Sequence, residues 1–148
     1  MSSQTDNVLR RVEEQDIAFI RLWFTDIAGS LKTVMMAPAE LESAFEEGVG
    51  FDGSSIEGFS RISESDTLLR PDPSTYQPLP FDEDTGIQTA RMFCDITMPD
   101  GDPLYADPRH VLRRQMHAAR EMGFEFFASP EIEYYVVKTD GEGGIKPS

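Results

Sequence analysis

The sequence has few of the features that mark secreted, membrane-bound or nucleic-acid-binding proteins. It contains a single cysteine, Cys94, so no disulfide can form within the chain, which fits a reducing compartment. Its 13 Lys and Arg stand against 27 Asp and Glu, and the formal net charge of −14 disfavours a nucleic acid or an anionic membrane as a partner. The apolar run over 17–24 is too short to span a membrane, and the first twenty residues lack a signal-peptide pattern. We therefore expect a cytoplasmic protein.

The composition is that of an ordinary globular protein. The 148 residues are 39% hydrophobic and 27% charged, which is enough to bury a core without disulfides or metals. An acidic chain suits divalent metals or cationic ligands, although charge alone favours the alternative of a merely soluble surface. Cys94 lies in the apolar run 91–96, where a small buried hydrophobic side chain is the default interpretation.

Strand-like and helical patterns alternate through the first two thirds of the chain. The predicted elements are, in order, a helix over 5–15 capped by Thr5 or Asp6, strands over 17–24 and 31–36 that form a hairpin, a helix from Pro38 to Gly48, and a strand over 89–97. The region between 48 and 88 has little periodicity and is predicted to be a long irregular segment. This order of elements predicts a small mixed α+β unit over residues 15–102.

A second unit is predicted from residue 105 onward. Asp107 and Pro108 have the residue types that begin a helix, and Gly123 is the type that ends one. Residues 124–137 are rich in aromatic and β-branched side chains and are predicted to form one long strand. Because one helix cannot cover both faces of such a strand, we expect residues 105–148 to be the first piece of a larger domain.

Glu131 and Glu133 are the candidate metal ligands. Residues i and i+2 of a strand point to the same face, so both carboxylates would project together and repel each other unless a cation lies between them. Hard oxygen ligands favour Mg²⁺ or Mn²⁺. The alternative is a solvated strand face, which the spacing alone favours. The apolar residues on both sides of the pair favour the metal hypothesis more, because they predict that the pair lies within a mostly buried strand.

The glycine-rich segment over 51–59 is the second candidate. Its glycines allow a ligand to approach the backbone closely, Asp52 offers a carboxylate to a cation or an amine, and Ser54 and Ser55 add hydroxyls. The alternative is a surface turn in which Asp52 caps its own backbone, and the spacing alone favours that alternative.

Six short strings of this sequence together resemble the glutamine synthetase family of the bacterial type. They occur in the family's order and at its approximate spacing across almost the whole chain, which makes the combined signal strong where a single string would be weak. The strings are residues 21–29, 51–56, 64–66, 71–75, 106–109 and 130–133.

The resemblance implies a fold and a set of site residues. It implies a β-grasp domain over 15–102, followed over 105–148 by the first helix and strand of the catalytic domain. Glu131 and Glu133 match family positions that bind the active-site Mg²⁺ or Mn²⁺. Asp52 matches a residue that reaches the neighbouring subunit's site, holds ammonium and takes a proton from it, and Ser55 matches a supporting hydroxyl.

The resemblance also implies an activity and an assembly. The family uses ATP to convert glutamate to γ-glutamyl phosphate, which ammonia then attacks, and the protein would be a homo-oligomer, a dodecamer of two stacked hexameric rings. The family's nucleotide site, remaining metal ligands and glutamate-binding arginines lie in a longer C-terminal part, so we expect the 148-residue chain alone to be inactive. Phe59 stands where some members have Trp.

Two other functions stay open at this point. One is a γ-glutamyl ligase that acts on a polyamine or another amine, because such relatives share these motifs and the acidic chain suits a cationic substrate. The other is a non-catalytic β-grasp module that only mediates assembly, against which the presence of Asp52, Glu131 and Glu133 argues.

Overall fold

The computed structural model of the protein describes residues 3–53, 66–80, 86–139 and 144–146. The helices in this part of the chain are α1 (Ser3–Glu14), α2 (Leu41–Glu47) and α3 (Pro108–Glu121). The strands are β1 (Phe19–Thr25), β2 (Leu31–Met36), β3 (Val49–Asp52), β4 (Asp66–Pro71), β5 (Gln77–Leu79), β6 (Thr89–Thr97), β7 (Lys138–Thr139) and β8 (Ile145–Lys146). In these ranges, no helix is both long enough and apolar enough to cross a membrane.

The first six strands form one mixed sheet around β6. The strand order is β2-β1-β6-β4-β3, and β5 also pairs with β6. β1 runs parallel to β6, whereas β4 and β5 pair with it antiparallel. β1 and β2 form the antiparallel hairpin predicted from the sequence, in which the Asp26 carboxylate accepts hydrogen bonds from two backbone amides of the turn. This arrangement confirms the predicted α+β class.

One face of the sheet forms the hydrophobic core. Side chains alternate along β1 and β6, so every second residue is buried on this face. The helices α1 and α2 cover it. The fully or nearly fully buried core residues of the two strands are Ile20, Leu22, Phe24, Ala90, Met92, Cys94 and Ile96. The prediction that Cys94 is a buried hydrophobic side chain is therefore confirmed, and burial raises the pKa of its thiol far above the usual range.

The opposite face of the sheet carries aromatic and charged side chains. Trp23 on β1 packs edge-on against Phe93 on β6, with ring centroids 5.8 Å apart. The Arg91 guanidinium lies 4.8 Å from the Phe93 centroid and donates a hydrogen bond to the Thr75 carbonyl. These contacts join β1 and β6 to the short 3₁₀ turn Pro73–Thr75 on the open side of the sheet.

The segment predicted to be irregular, between 48 and 88, contains three strands, so that prediction is wrong. β3, β4 and β5 lie there, and β4 shows the alternation of a strand with one buried face. Prolines conceal this pattern in the sequence. Pro71 is the last residue of β4, and Pro78 lies in the three-residue strand β5, both places where a missing amide donor is tolerated.

The predicted helix boundaries also need two corrections. α1 begins at Ser3, so Thr5 and Asp6 lie inside the helix instead of capping it, and Thr5 is buried. The helix predicted from Pro38 begins as a 3₁₀ turn over Pro38–Glu40 and becomes α-helical only at Leu41. Proline fits the first turn of either helix type, so the residue type alone does not distinguish them.

Gly48 ends α2 in a conformation that only glycine adopts easily. Its φ is 82° and its ψ is 175°, a region essentially restricted to glycine. A Cβ on Gly48 would lie 3.1 Å from both the Arg70 Nε and the Leu69 carbonyl oxygen. Close packing against β4 and backbone geometry therefore both require glycine here, as the sequence predicted for the end of this helix.

We expect Gly48→Ala to lower the free energy of unfolding by about 2–3 kcal/mol, from backbone strain and crowding. The matched control is Gly29→Ala, because Gly29 also has a positive φ (83°) but has open space where its Cβ would lie. That control should lose only about 1 kcal/mol. Urea unfolding followed by the fluorescence of Trp23, the single tryptophan, measures both values. Equal losses in the two variants would contradict the crowding argument.

Candidate functional site

Asp52 lies at an exposed outer edge of the sheet. It is the last residue of β3, the terminal strand of the order, and it stands opposite Asp66 of β4. The strand is held just before it, because Phe51 packs against Phe24 with ring centroids 5.0 Å apart and its carbonyl accepts a hydrogen bond from the Thr67 hydroxyl. The alternation of a strand then puts Asp52 on the face opposite to Phe51.

Asp52 and Asp66 stand on the two sides of residues 54–65, which lie outside the described residues. Because Asp52 and Asp66 are paired, the last described residue pair on either side of that segment lies at one place on the sheet. Ser55, the second predicted catalytic residue, lies outside the described residues. Two carboxylates at paired positions concentrate negative charge at this end of the β3–β4 pair, and such a place suits a cationic ligand.

Glu131 and Glu133 lie in an exposed segment. The long strand predicted over 124–137 is not formed: no strand of the described chain pairs with these residues. A strand needs a neighbouring backbone to bond to, whereas the sequence pattern reports only the tendency of each residue. The flanking side chains, predicted to be mostly buried, are at least 62% exposed in Phe124, Phe126, Phe127, Ile132, Tyr134, Tyr135 and Val136.

The described residues provide part of a metal site at most. Among them, no group of three or more His, Cys, Asp and Glu side chains could hold a metal ion, so Asp52 does not join Glu131 and Glu133 in one cluster. Mg²⁺ takes six oxygen ligands and is usually held by one or two carboxylates together with waters and substrate phosphates. The two exposed glutamates fit that pattern as donors, and a metal site built on them would need further ligands.

Sequence reasoning missed a cluster of ion pairs between α3 and the sheet. We call Asp72, Asp95, Arg109 and Arg113 the α3 ion-pair cluster. Arg109 donates from Nε to Asp95 Oδ1 at 2.9 Å and from Nη2 to Asp72 Oδ2 at 2.7 Å. Arg113 donates from Nη1 to Asp95 Oδ2 at 2.5 Å. Two arginines four residues apart on a predicted helix were the available signal, but their partners are distant in the sequence.

The carboxylates of this cluster are held in place by their own surroundings. Partial burial opposes ionisation of Asp72, but hydrogen bonds from the hydroxyl and amide of Ser74 and the charge of Arg109 outweigh it, so the pKa of Asp72 lies below its usual range. The pairing of β6 with β4 holds the backbone of Asp95, which stands opposite Arg70, and its carboxylate contacts Arg109 and Arg113. The arginines thus bind one carboxylate that Ser74 also holds and one on a paired strand.

Asp107 begins α3, as predicted, and also binds the sheet. Its Oδ1 accepts a hydrogen bond from the Arg109 amide, and its Oδ2 accepts one from the Ile96 amide, each at 3.1 Å. The side chain is almost fully buried. Burial raises the pKa of this carboxyl, and the two backbone hydrogen bonds oppose that rise. The N-cap is therefore also the point where the helix is tied to β6.

Comparisons with known proteins agree with this architecture. A family model described as the glutamine synthetase β-grasp domain matches residues 16–99, and one described as the glutamine synthetase catalytic domain matches residues 105–147. The glutamine synthetase of Mycobacterium tuberculosis (strain ATCC 25618 / H37Rv) is 62% identical over an alignment of 148 residues that covers 99% of this chain and 33% of that protein. The glutamine synthetase of Methanosarcina mazei is 46% identical over 138 residues, 93% of this chain and 31% of that protein.

A solved structure shares the fold. The cryoEM structure of Plasmodium falciparum glutamine synthetase matches with a TM-score of 0.73 at 23% identity, over 82% of this chain and 23% of that one.

The chain spans about a third of the length of the curated relatives that it matches. The β-grasp fold implied by the resemblance is confirmed. With one family model covering more than half of the residues and a second following it in order, the chain belongs to the glutamine synthetase family.

Proposed function

We propose that this chain is the N-terminal portion of an enzyme that ligates ammonia to glutamate, using ATP to form γ-glutamyl phosphate. The observation that carries this proposal is the match of the β-grasp and catalytic family models, in order, to residues 16–99 and 105–147. Because the chain spans 33% of its curated relatives, the activity belongs to the complete protein. The division into a β-grasp domain over 15–102 and a catalytic part over 105–148, and the cytoplasmic location, stay predictions.

Glu131 and Glu133 are proposed to bind the divalent cation, Mg²⁺ or Mn²⁺. Their support is the hard oxygen chemistry of two carboxylates two residues apart on an exposed segment. A cation there would neutralise charge on the phosphoryl group. The glutamates themselves would contribute two negative charges, two residues apart, that attract the cation. The remaining ligands and the nucleotide site are expected outside this chain.

Asp52 is proposed to act on the amine substrate. Its exposed position opposite Asp66 creates a negative edge that attracts an ammonium ion. A carboxylate next to that ion can accept a proton and leave the neutral amine as the nucleophile. Ser55 is proposed to support the amine through its hydroxyl. Since Asp52 does not join Glu131 and Glu133 within one chain, the proposal has it reach the site of a neighbouring subunit, in a dodecamer of two stacked hexameric rings.

A γ-glutamyl ligase for a polyamine or another amine remains the second candidate. The observation in its favour is the net charge of −14, together with the paired positions of the Asp52 and Asp66 carboxylates. Such a site would attract a larger cation as readily as ammonium. An activity assay that compares several amines therefore decides which amine is the acceptor.

We expect the complete protein to form a γ-glutamyl product from glutamate, ATP and ammonium in the presence of Mg²⁺ or Mn²⁺. The measurement is ADP release and product mass, with ammonium, methylamine and putrescine compared at equal concentration. The 148-residue chain serves as a negative control. Turnover with the larger amines alone would support the second candidate, and no turnover with any amine would contradict both.

We expect Glu131→Gln and Glu133→Gln in the complete protein to raise the Mn²⁺ concentration at half-maximal activity by roughly tenfold or more, since each removes a charged ligand. Glu125→Gln is the matched control, because Glu125 is an exposed glutamate of the same segment. A Mn²⁺ titration of activity measures the effect. Unchanged metal dependence in both variants would remove the glutamates from the metal site.

We expect Asp52→Asn to lower amine-dependent synthesis by roughly 10²–10⁴-fold, the range for a positioned general base, while assembly persists. Asp66→Asn removes the same charge at the same edge and should lower synthesis far less. Initial rates measure amine-dependent synthesis in both variants, and light scattering measures whether each variant still assembles. Equal losses would show that charge alone matters, and full activity of Asp52→Asn would exclude the residue.

The cross-subunit part of this prediction has a separate test. Asp52→Asn subunits and Glu131→Gln subunits are mixed and reassembled, at a Mn²⁺ concentration at which each variant alone has little activity. Some interfaces would then join an intact Asp52 to an intact Glu131, so activity should partly return. Mixed rings verified by mass spectrometry that remain inactive would contradict a shared site.

A further inference from the structure

We propose that Arg109 and Arg113 are positioning residues, which set the direction in which α3 leaves the sheet and thereby fix where segment 124–137 begins. Only the catalytic consequence of this inference rests on the proposed function. The attachment of α3 itself follows from contacts within the chain.

The α3 ion-pair cluster is a closed set of four charges. Arg109 and Arg113 lie on one face of α3, one turn apart. Each arginine reaches both carboxylates, since Arg113 Nη2 also lies 3.8 Å from Asp72 Oδ2. The side chains of Arg109, Asp72 and Asp95 are 27%, 21% and 25% exposed, so solvent screens the Arg109 pairs less than pairs on an open surface. The Arg113 side chain is 52% exposed, so its pairs are screened more strongly.

Apolar burial does not hold α3 in place. No residue of the helix is buried, and Leu112 is 56% exposed. The buried cap Asp107 fixes the point where the helix begins, but a single point leaves its direction free. The arginines add contacts further along the helix axis, Arg113 about 6 Å beyond Arg109. Because guanidinium–carboxylate hydrogen bonds are directional, they define the angle between helix and sheet.

The segment with the predicted metal ligands is attached to the end of α3, so the direction of α3 affects where this segment starts. The Phe124 amide donates to the Ala119 carbonyl at 2.9 Å, which ties the start of segment 124–137 to the last turn of the helix. Phe126 then lines a cavity together with Leu112 and Met116 of α3. A change in the angle of α3 would therefore move the start of the segment.

The first test measures hydrogen exchange of backbone amides in the 148-residue chain. A 14-residue helix is marginal alone, so release of α3 from the sheet exposes its amides. In Arg109→Met and Arg113→Met we expect exchange over residues 111–118 to rise about tenfold or more, with β6 amides unchanged. Arg114→Met is the matched control, because Arg114 lies on the same helix over the exposed Tyr105 ring.

Two outcomes of this test would overturn the proposal. One is exchange in the arginine variants equal to that of Arg114→Met. The other is equal loss of protection in α3 and β6, since the cluster would then stabilise the whole fold and not the direction of one helix. A double-mutant cycle of Arg109→Met with Asp95→Asn adds a third criterion: the effects should be non-additive, and additive effects would show that the pair is not coupled.

The second test measures kinetics in the complete protein. We expect Arg113→Met to lower kcat about tenfold or more, because misplaced groups lose rate, while the KM for ATP stays within about twofold. An unchanged kcat with increased α3 exchange would overturn the positioning role. If the wild-type protein had no ligase activity, the proposed function would fail, and hydrogen exchange would still decide whether the cluster directs α3.

Discussion

Much of the described structure depends on the alternation of side chains along β6. One set of its residues enters the hydrophobic core, and the other set faces the open side of the sheet. Ile96 and Cys94 belong to the first set, and Phe93 and Asp95 to the second. β6 also pairs with β1, β4 and β5. The same nine residues therefore support the core, the aromatic contacts and the ion pairs that receive α3.

The helices are attached to this sheet by different forces. α1 and α2 bury Val8, Val12, Leu41 and Ala44 in the core, and apolar burial has no strong directional preference. α3 buries none of its residues and is attached through Asp107 and the α3 ion-pair cluster. Charged hydrogen bonds have defined geometry. The attachment of α3 to the sheet connects the two parts matched by the family models. It therefore depends more on directional hydrogen bonds than on buried apolar area.

The candidate site is distributed over elements that do not meet within the described chain. Asp52 lies at the outer edge of the β-grasp sheet, and Glu131 and Glu133 lie beyond α3 in a segment whose apolar side chains are exposed. Their common chemistry, that of exposed carboxylates, is a local property. Another subunit, or residues outside this chain, would have to bring these carboxylates together in one site. Under the proposed function, the orientation of α3 matters for that reason, because it would set where the segment with Glu131 and Glu133 begins.

The sequence by itself determined the local features. Residue types predicted the β1–β2 hairpin, the strand over 89–97, the N-cap at Asp107, the glycine at the end of α2 and the burial of Cys94, because each depends on the conformational preference or polarity of a few neighbouring residues. Only the tertiary structure decided the pairings. Prolines concealed the strand pattern of β4 and β5 in the sequence, and these segments are strands because they pair with β6. Residues 124–137 do not form a strand, because no backbone among the described residues pairs with them. The ion pairs of Arg109 follow the same rule: Asp72 is 37 positions away in the sequence, and only the folded sheet brings its carboxylate beside Asp95.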